Sequence, residues 1–386
     1  MIGYQKQFSS TEEALVLYER RDQLGARLEG MLSAWRFAKL TRRKLIVFWP
    51  DQNFSGQYDP ALFFDLKAMV ENEDLVIHFS EYNDQFLQGG ILDLRKASGW
   101  PFFIKKSDYV GSRNHAVKIK TFHSTYFCFR WESPWRVVRE LKQLFHQLIP
   151  IVQIRDALSE ALSWIGDPDF IAVHIRRGDV VDKTRARLTS FISSEAEHGN
   201  SPEALEKLMT GGWDGMEIGL QHFLHHFVKK VTSIDSYIAA IPKNNNARVV
   251  VFSDSLEAAE EFQARFTGSR SILISSFLVE MTKSQRAYLE LLILAKAGRV
   301  ISTASCFSRV ACQCGRPIFH DARNALGADG TRSAFQQLFG DVLNHADFLR
   351  DECLRILNRE LALDRWVRLP DWLVSIFPPF SWITMK

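Results

Sequence analysis

The second half of the chain alternates short apolar runs with helical patterns, and this alternation restricts its fold more than any other feature. The apolar runs, rich in Val and Ile, predict strands at residues 170–175, 248–252, 271–275 and 299–302. The patterns between them predict helices at residues 218–241, 256–266, 283–297 and 306–314. Strands that alternate with helices form a parallel sheet covered by helices on both faces. The sequence therefore predicts a doubly wound α/β domain, whose ligands bind beyond the carboxyl ends of the strands.

The first half of the chain shows a similar pattern less regularly. Thr11 is a candidate N-cap for a predicted helix that ends at Arg20, and a second helix is predicted at residues 26–40. The second helix carries one apolar stripe, formed by Leu28, Met31, Leu32 and Trp35. Further strands are predicted at residues 45–49, 75–79 and 125–130, and further helices at residues 135–148 and 152–164.

The length of 386 residues exceeds one ordinary core and suits two α/β domains with a cleft between them. We predict one Rossmann-like domain at residues 1–165, a second at residues 166–340, and a helical and aromatic tail at residues 341–386. Within the second domain, residues 181–219 have the composition of a loop-like insert. Such an insert is either a mobile lid or a surface excursion.

Charge and cysteine content exclude several classes of protein. The net charge is +3, from 48 basic and 45 acidic residues, so the chain lacks the positive field of a nucleic-acid-binding protein. Its five cysteines show no Cys-x-x-Cys spacing, which indicates neither a disulfide framework nor a zinc site. No apolar run is long enough to cross a bilayer, and the first residues lack a signal core. These features predict a cytoplasmic protein with no nucleic-acid partner.

The C-terminal tail has two interpretations. Residues 366–386 mix aromatic with basic side chains, a composition suited to peripheral contact with a membrane surface. The alternative is that the aromatic side chains pack onto the protein itself, because Pro378 and Pro379 interrupt any amphipathic helix.

The most informative segment is His174-Ile-Arg-Arg-Gly-Asp179, which directly follows a predicted strand. Alternation along the strand sends His174 and Arg176 to one face, where both can reach one ligand. Arginine binds pyrophosphate well because its planar fork makes paired hydrogen bonds to phosphate oxygens. The alternative is that Arg176 and Arg177 form surface ion pairs with Asp179 and Asp182.

Two other strands of the second half also run into polar residues. Asp254 follows the run 249–252, and its carboxylate can accept hydrogen bonds from guanine or, alternatively, cap the helix near residue 256. The strand 299–302 runs into a turn rich in hydroxyls, ahead of a helix whose N-terminus suits an anion. The hydroxyl side chains placed to hold phosphate, or simply to cap that helix, are Ser302, Thr303, Ser305 and Ser308.

A fourth segment lies in the first half, at Leu24-Gly-Ala-Arg-Leu-Glu-Gly30. Gly25 lets the backbone approach a ligand, and Arg27 can reach phosphate groups. The segment is neither a Walker loop nor a dinucleotide fingerprint.

In this order, the four segments resemble the fucosyltransferase superfamily that joins α1,6-fucosyltransferases, including the rhizobial nodulation enzyme, with protein O-fucosyltransferases. The resemblance extends over about residues 20–320. It implies a GT-B architecture, in which two Rossmann-like doubly wound domains face each other across a cleft. The N-terminal domain would then lie on the acceptor side, and the C-terminal domain would bind a nucleotide sugar.

The resemblance also implies an activity and roles for individual residues. The expected reaction is inverting transfer of fucose from GDP-fucose to a glycan or polypeptide hydroxyl, with no metal and no other cofactor. His174 would contact the nucleotide, Arg176 the diphosphate and Asp254 the guanine. Further donor contacts would come from Arg177, Ser302, Ser305, Ser308, Gly25 and Arg27.

The sequence departs from the superfamily at two points. A Ser-Ser pair of the family reads Ser305-Cys306 here, and an acidic residue that some members carry after the arginines has no counterpart. Arg176 is the expected catalytic charge, and the candidates for a catalytic base are Asp179, Asp182 and Glu29.

Two other classes of function remain open at this point. The chain is alternatively a non-catalytic module that binds a nucleotide or polyanion, or a transferase that uses another nucleotide sugar. A hydrolase that acts on phosphates has little support, because the sequence has no nucleophile elbow and no phosphate loop. His222, His225 and His226 lie at helical spacing without a carboxylate three or four residues on, which predicts packing or surface roles rather than metal ligation.

Overall fold

A computed structural model gives the structure of the chain. It describes residues 15–19, 24–49, 60–65, 75–77, 117–120, 132–198, 219–243, 247–266, 271–273, 281–303, 305–344 and 347–367. The chain divides into two compact units. The first comprises Met1–Glu160, Glu280–Ile293 and Gln313–Gly315, and the second comprises Ala161–Val279, Leu294–Cys312 and Arg316–Lys386.

The first unit contains a parallel sheet of four strands in the order β3-β2-β1-β4. The strands are β1 (Leu15–Glu19), β2 (Lys44–Phe48), β3 (Leu75–Ile77) and β4 (Val117–Lys120). The helices of this part of the chain are α1 (Leu24–Thr41), a 3-10 turn (Pro60–Leu62), α2 (Pro134–His146) and α3 (Val152–Ile165), which leads into the second unit.

The prediction of a helix that ends at Arg20 is wrong, because the C-terminal part of that segment is the strand β1. This strand lies between β2 and β4 in the sheet, and Val16 is fully buried. A local capping signal at Thr11 was therefore outweighed by the burial of an apolar run between two strands. β4 was not predicted, and the strand predicted at residues 125–130 lies outside the described residues.

α1 confirms the predicted helix and its apolar stripe. Leu28, Met31, Leu32 and Trp35 are all buried, as the helical spacing requires. On the same helix, Arg36 donates to Glu140 of α2 at 2.8 Å and also pairs with Glu132. The charge of this buried arginine is therefore matched by two carboxylates.

The first unit includes residues 280–293 because an aromatic cluster holds them. Tyr288 lies edge-on to Phe63 and Phe64, with ring centroids 5.6 and 5.3 Å apart. Trp49 contacts the same two phenylalanines at 6.3 and 6.4 Å. Edge-to-face pairs of this kind stabilise a core beyond the area they bury.

The second unit contains a parallel sheet of five strands in the order β7-β6-β5-β8-β9. The strands are β5 (Ile171–Ile175), β6 (Val249–Ser253), β7 (Ser271–Leu273), β8 (Arg299–Ser302) and β9 (Ile318–Asp321). The helices of this half of the chain are α4 (Gly178–His198), α5 (Leu220–Lys230), α6 (Ile234–Ala239), α7 (Leu256–Arg265), α8 (Lys283–Lys296), α9 (Cys306–Cys314), α10 (Arg323–Leu343) and α11 (Asp347–Val367). Most of α8, as far as Ile293, belongs to the first unit. The predicted α/β class with parallel strands is confirmed, and the strand order is that of a doubly wound domain.

Two predictions for the second half are wrong in part. The helix predicted at residues 218–241 is broken into α5 and α6, because Ser233 caps α6 by accepting from the amide of Ser236. The insert predicted as loop-like from residue 181 is helical to His198, where α4 ends. Val180, Val181 and Leu188 anchor α4 in an apolar core shared with α5, α10 and α11. Residues 199–218 lie outside the described part.

No helix within the described ranges is long and apolar enough to cross a bilayer. Residues 368–386, which form most of the aromatic tail, lie outside those ranges. Peripheral membrane contact through the tail and a cytoplasmic location both stay predictions.

Candidate functional site

β5, β6 and β8 end side by side at the carboxyl edge of the second unit's sheet. His174 pairs in register with Ser302 of β8, and Ile175 pairs with Ser253 of β6. The residues that directly follow the three strands are therefore Arg176, Asp254 and Thr303. The strand order reverses between β5 and β8, which makes this edge the switch point where open α/β sheets bind ligands.

His174 is held at this edge by one hydroxyl and one ring. Its Nδ1 lies 3.1 Å from the Oγ of Ser302, and its imidazole stacks on Phe307 with centroids 5.3 Å apart. Burial, together with the nearby charge of Arg176, lowers the pKa of His174 to about 3. The imidazole is therefore neutral at physiological pH.

Asp254 supports the turn that follows β5. Its Oδ1 accepts hydrogen bonds from the backbone amides of Arg177 at 2.8 Å and Gly178 at 3.0 Å, at the start of α4. A side chain at residue 178 would crowd Asp254, because a β-carbon there would lie 3.1 Å from the Asp254 carbonyl oxygen, which is tighter than most such contacts. Gly178 thus allows the close approach that lets one carboxylate bind two amides.

The predicted alternative for Asp254, capping of α7, is not what the side chain does. Ser255 caps α7 by accepting from the amide of Ala258. In the described part of the chain, no group hydrogen-bonds to Oδ2 of Asp254, and the side chain is exposed. This second oxygen is available to a ligand.

Substitution of Asp254 can separate support of the turn from ligand binding. Asp254→Ala removes the acceptor for two amides and is expected to cost about 1 to 2 kcal/mol in the free energy of unfolding. Asp254→Asn keeps an amide oxygen at the Oδ1 position and is expected to cost less than half as much. Urea denaturation of both variants measures this difference, and equal losses would contradict the capping role.

Arg177 points into the protein and pairs with α7. Its guanidinium donates to Glu261 at 2.9 Å, and only 7% of the side chain is exposed. Although burial opposes ionisation of Glu261, hydrogen bonds from Gln337 and Arg177 lower the pKa of its carboxyl. The ion pairs that the sequence offered for Arg177 were with Asp179 and Asp182. The structure shows Glu261 as a partner of Arg177, and the side chain of Asp179 lies outside the described part.

The hydroxyls around the start of α9 are all buried and all engaged. The Oγ of Ser305 accepts from the amide of Ser308 and lies 2.8 Å from its hydroxyl, which is an N-cap arrangement. Thr303 donates to the carbonyl of Lys230 at 2.7 Å, and Ser302 donates to the carbonyl of His174 at 3.0 Å. Capping is thus observed, and phosphate binding by Ser302, Ser305 and Ser308 stays a prediction.

Tyr237 of α6 lies beneath the same strand ends and was not predicted as a site residue. Burial raises the pKa of Tyr237, while the Thr303 side chain, the Arg177 charge and the Arg176 backbone favour its ionised form. Tyr237 packs in the apolar core that β5, β6 and β8 share. No sequence pattern links Tyr237 to them, because the contact depends on how α6 packs against the sheet.

The remaining site candidates are distributed between the units. Gly25, Arg27 and Glu29 lie in the first turns of α1 in the first unit and are buried. The Arg27 guanidinium lies 5.9 Å from the ring centre of Trp49. Asp182 is exposed on α4, and the side chain of Asp179 lies outside the described part. The roles assigned to these residues stay predictions.

One of the three histidines of α5 does have a carboxylate neighbour. His225 Nδ1 lies 2.7 Å from Glu360 of α11, which the spacing along α5 alone did not reveal. Burial, followed by the charge of Lys230, lowers the pKa of His226 to about 3. Across the described residues, no group of three or more His, Cys, Asp or Glu side chains has the arrangement of a metal site.

Comparison with known proteins gives matches among solved structures. No protein-family model matches the chain. No curated protein matches its sequence. The fucosyltransferase NodZ from Bradyrhizobium is 15% identical over 81% of this chain and 97% of its own, with a TM-score of 0.44.

Two further structures were solved in complex with GDP. A mutant of Arabidopsis thaliana FUT1 is 16% identical over 80% of this chain and 70% of its own, with a TM-score of 0.42. POFUT1 is 14% identical over 81% of this chain and 99% of its own, with a TM-score of 0.37. The function of this chain is therefore proposed from its own residues.

Proposed function

We propose that the chain is a glycosyltransferase that moves fucose from GDP-fucose to a hydroxyl of a glycan or polypeptide, with inversion and without a metal or other cofactor. We further propose that its two units form a GT-B arrangement, with the donor bound by the second unit. The observation that carries the proposal is the meeting of His174, Arg176 and Asp254 at the switch point of one parallel sheet.

Recognition of a guanine nucleotide is supported by the available oxygen of Asp254. Oδ1 is used by the backbone amides of Arg177 and Gly178, and the exposed Oδ2 can accept from the N1–H or the amino group of guanine. Adenine offers no N1–H donor, so a carboxylate at this position favours guanine. The two amide contacts fix the carboxylate before the ligand arrives, which lowers the entropy cost of binding.

Stabilisation of the leaving group is assigned to Arg176. The acceptor oxygen bonds to the anomeric carbon, the bond from that carbon to the β-phosphate oxygen breaks, and GDP departs with the electron pair. A fixed guanidinium at the strand end opposes the charge that develops on the pyrophosphate. The N-terminus of α9, next to β8 at the same edge, adds a positive dipole end.

The acceptor hydroxyl loses its proton during transfer. A carboxylate general base would contribute about 10²- to 10⁴-fold to the rate. We propose Asp182, Asp179 and Glu29 as the candidates, and single substitution of each identifies the base by the loss of transfer.

A panel of nucleotides tests the proposal. Thermal unfolding is followed with GDP, GDP-fucose, GDP-mannose, UDP and ADP, each with and without EDTA, and transfer or slow hydrolysis of GDP-fucose is measured in parallel. A ligand present at a hundred times its Kd should stabilise the folded protein by about 2.7 kcal/mol. We expect GDP and GDP-fucose to raise the Tm, with no effect of EDTA.

The other outcomes discriminate among the alternatives. Stabilisation by GDP without transfer or hydrolysis would favour a non-catalytic nucleotide-binding module. A preference for GDP-mannose or UDP would indicate a transferase for another nucleotide sugar. Loss of the GDP effect in EDTA would contradict metal independence.

A further inference from the structure

Ser302 and His174 are joined by two contacts at the switch point. They lie opposite each other on the neighbouring strands β8 and β5. The Oγ of Ser302 donates to the backbone carbonyl of His174 at 3.0 Å, and the same Oγ lies 3.1 Å from Nδ1 of the imidazole. Both side chains are buried, so water does not compete for these contacts.

The number of protons available for these two contacts determines which nitrogen of the imidazole carries a proton. A serine hydroxyl has one proton, and a backbone carbonyl can only accept, so the proton of Ser302 points to the carbonyl of His174. The hydroxyl oxygen then faces Nδ1 with a lone pair. For the second contact to be a hydrogen bond, Nδ1 must carry the proton.

We infer that Ser302 holds His174 as the Nδ1–H tautomer, so that Nε2 offers a lone pair to a hydrogen-bond donor of the bound nucleoside. This inference rests on the proposed function for the identity of the ligand, but not for the tautomer itself. Ser302 is then a positioning residue that acts through His174 rather than a contact of the phosphates.

Three further features support this arrangement. Phe307 stacks on the imidazole with an interplanar angle of 27°, which holds the ring in one orientation. In the described part of the chain, no residue hydrogen-bonds to Nε2 of His174. Burial and the Arg176 charge lower the pKa of His174 to about 3, so the imidazole is neutral at pH 7 and only one of its two nitrogens carries a proton.

The tautomer selects the class of group that His174 can bind. Phosphate oxygens are acceptors, and an unprotonated Nε2 is also an acceptor, so the two do not bind each other. The N–H groups of a base and the hydroxyls of a ribose are donors. We therefore expect His174 to bind the nucleoside and Arg176 to bind the diphosphate.

Nitrogen NMR of the ligand-free protein tests the tautomer directly. Histidine is labelled with ¹⁵N in its ring, and the His174 signal is identified by its absence in His174→Gln. We expect a protonated Nδ1 and an unprotonated Nε2 in the wild-type protein at pH 7, and a mixture of tautomers in Ser302→Ala. A protonated Nε2 of His174 in the wild-type spectrum overturns the inference, whether or not Ser302→Ala folds.

Binding measurements test the consequence for the ligand. Ser302→Ala is expected to weaken GDP binding about three- to tenfold, the loss that follows when one hydrogen bond is misaligned. Binding of inorganic pyrophosphate should not change, because His174 faces the nucleoside. Ser302→Thr keeps the hydroxyl and should restore both the tautomer and most of the GDP affinity.

Thr331→Val is the matched control. Thr331 is a fully buried hydroxyl of the second unit that donates to the carbonyl of Val231 and not to His174. Its loss should leave GDP binding unchanged. Equal weakening of GDP and pyrophosphate by Ser302→Ala overturns the nucleoside assignment. Absence of GDP binding in the wild-type protein removes the proposed function and the ligand part of the inference, while the ring spectrum still decides the tautomer.

Discussion

Arg176→Ala is expected to lower the rate of sugar transfer by about a hundredfold to a thousandfold, the usual loss when a fixed donor to a developing negative charge is removed. Arg176 follows β5 at the switch point and is close enough to His174 for its charge to lower the pKa of that imidazole. The variant should stay folded, because Arg176 is only partly buried. Single-turnover transfer from GDP-fucose, compared with the thermal unfolding of both proteins, checks the prediction.

Arg316→Ala is a control for this substitution. Arg316 is about half exposed, pairs with Asp169 at 3.0 Å and precedes β9, so it lies at the amino end of a strand of the same sheet. Exposed ion pairs contribute about 0 to 1 kcal/mol to folding, so the control should cost little stability and no transfer activity. If Arg176→Ala turned over like the wild-type protein, the role of Arg176 in leaving-group stabilisation would be wrong.

The parts of the site that lie on single strands were predictable from the sequence. β5, β6 and β8 are buried parallel strands, and such strands read as continuous apolar runs with a polar residue where the run stops. The positions of His174, Arg176 and Asp254 follow from that pattern alone. The switch-point rule then places them at one edge of the sheet.

The partners of these residues could not be predicted, because they lie far away along the chain. Ser302 contacts His174 across 128 positions, and Asp254 binds the amide of Arg177 across 77. Local capping rules offered the nearest helix as one of two roles for Asp254, but Ser255 caps that helix and Asp254 supports α4 instead. Glu261, the partner of Arg177, sits on α7 among other charged residues and has no distinguishing local pattern.

Two segments were assigned the wrong secondary structure for a related reason. α4 contains many polar residues, and its three core anchors stand out only once the surface they pack against is known. β1 is five residues long, and its burial depends on strands on both sides. In both segments tertiary packing decided the structure, and local preference did not.

The second large effect is expected at Gly330, where α10 meets α6. A β-carbon at residue 330 would overlap the Oγ of Ser236 and lie 2.9 Å from Oγ1 of Thr232. Both hydroxyls are buried and joined to each other at 2.9 Å, and the Gly330 carbonyl accepts from the amide of Ser233 at 3.0 Å. Gly330→Ala should therefore lower the free energy of unfolding by about 1 to 3 kcal/mol, the usual cost of overpacking.

Gly340→Ala in the same helix isolates the cause of this loss. The nearest atom to a β-carbon at residue 340 is Cγ of Gln336 at 4.0 Å, which is an ordinary contact. Alanine there should raise the free energy of unfolding by about 0.5 to 1 kcal/mol, because glycine is a poor helix former. Both variants gain the same helix propensity, so the difference between their urea denaturation curves measures the close approach of α10 to α6. Equal stability of the two variants would mean that the Ser236 and Thr232 hydroxyls move aside at no cost, and the close approach would then not hold α6, and with it Tyr237, beneath the strand ends.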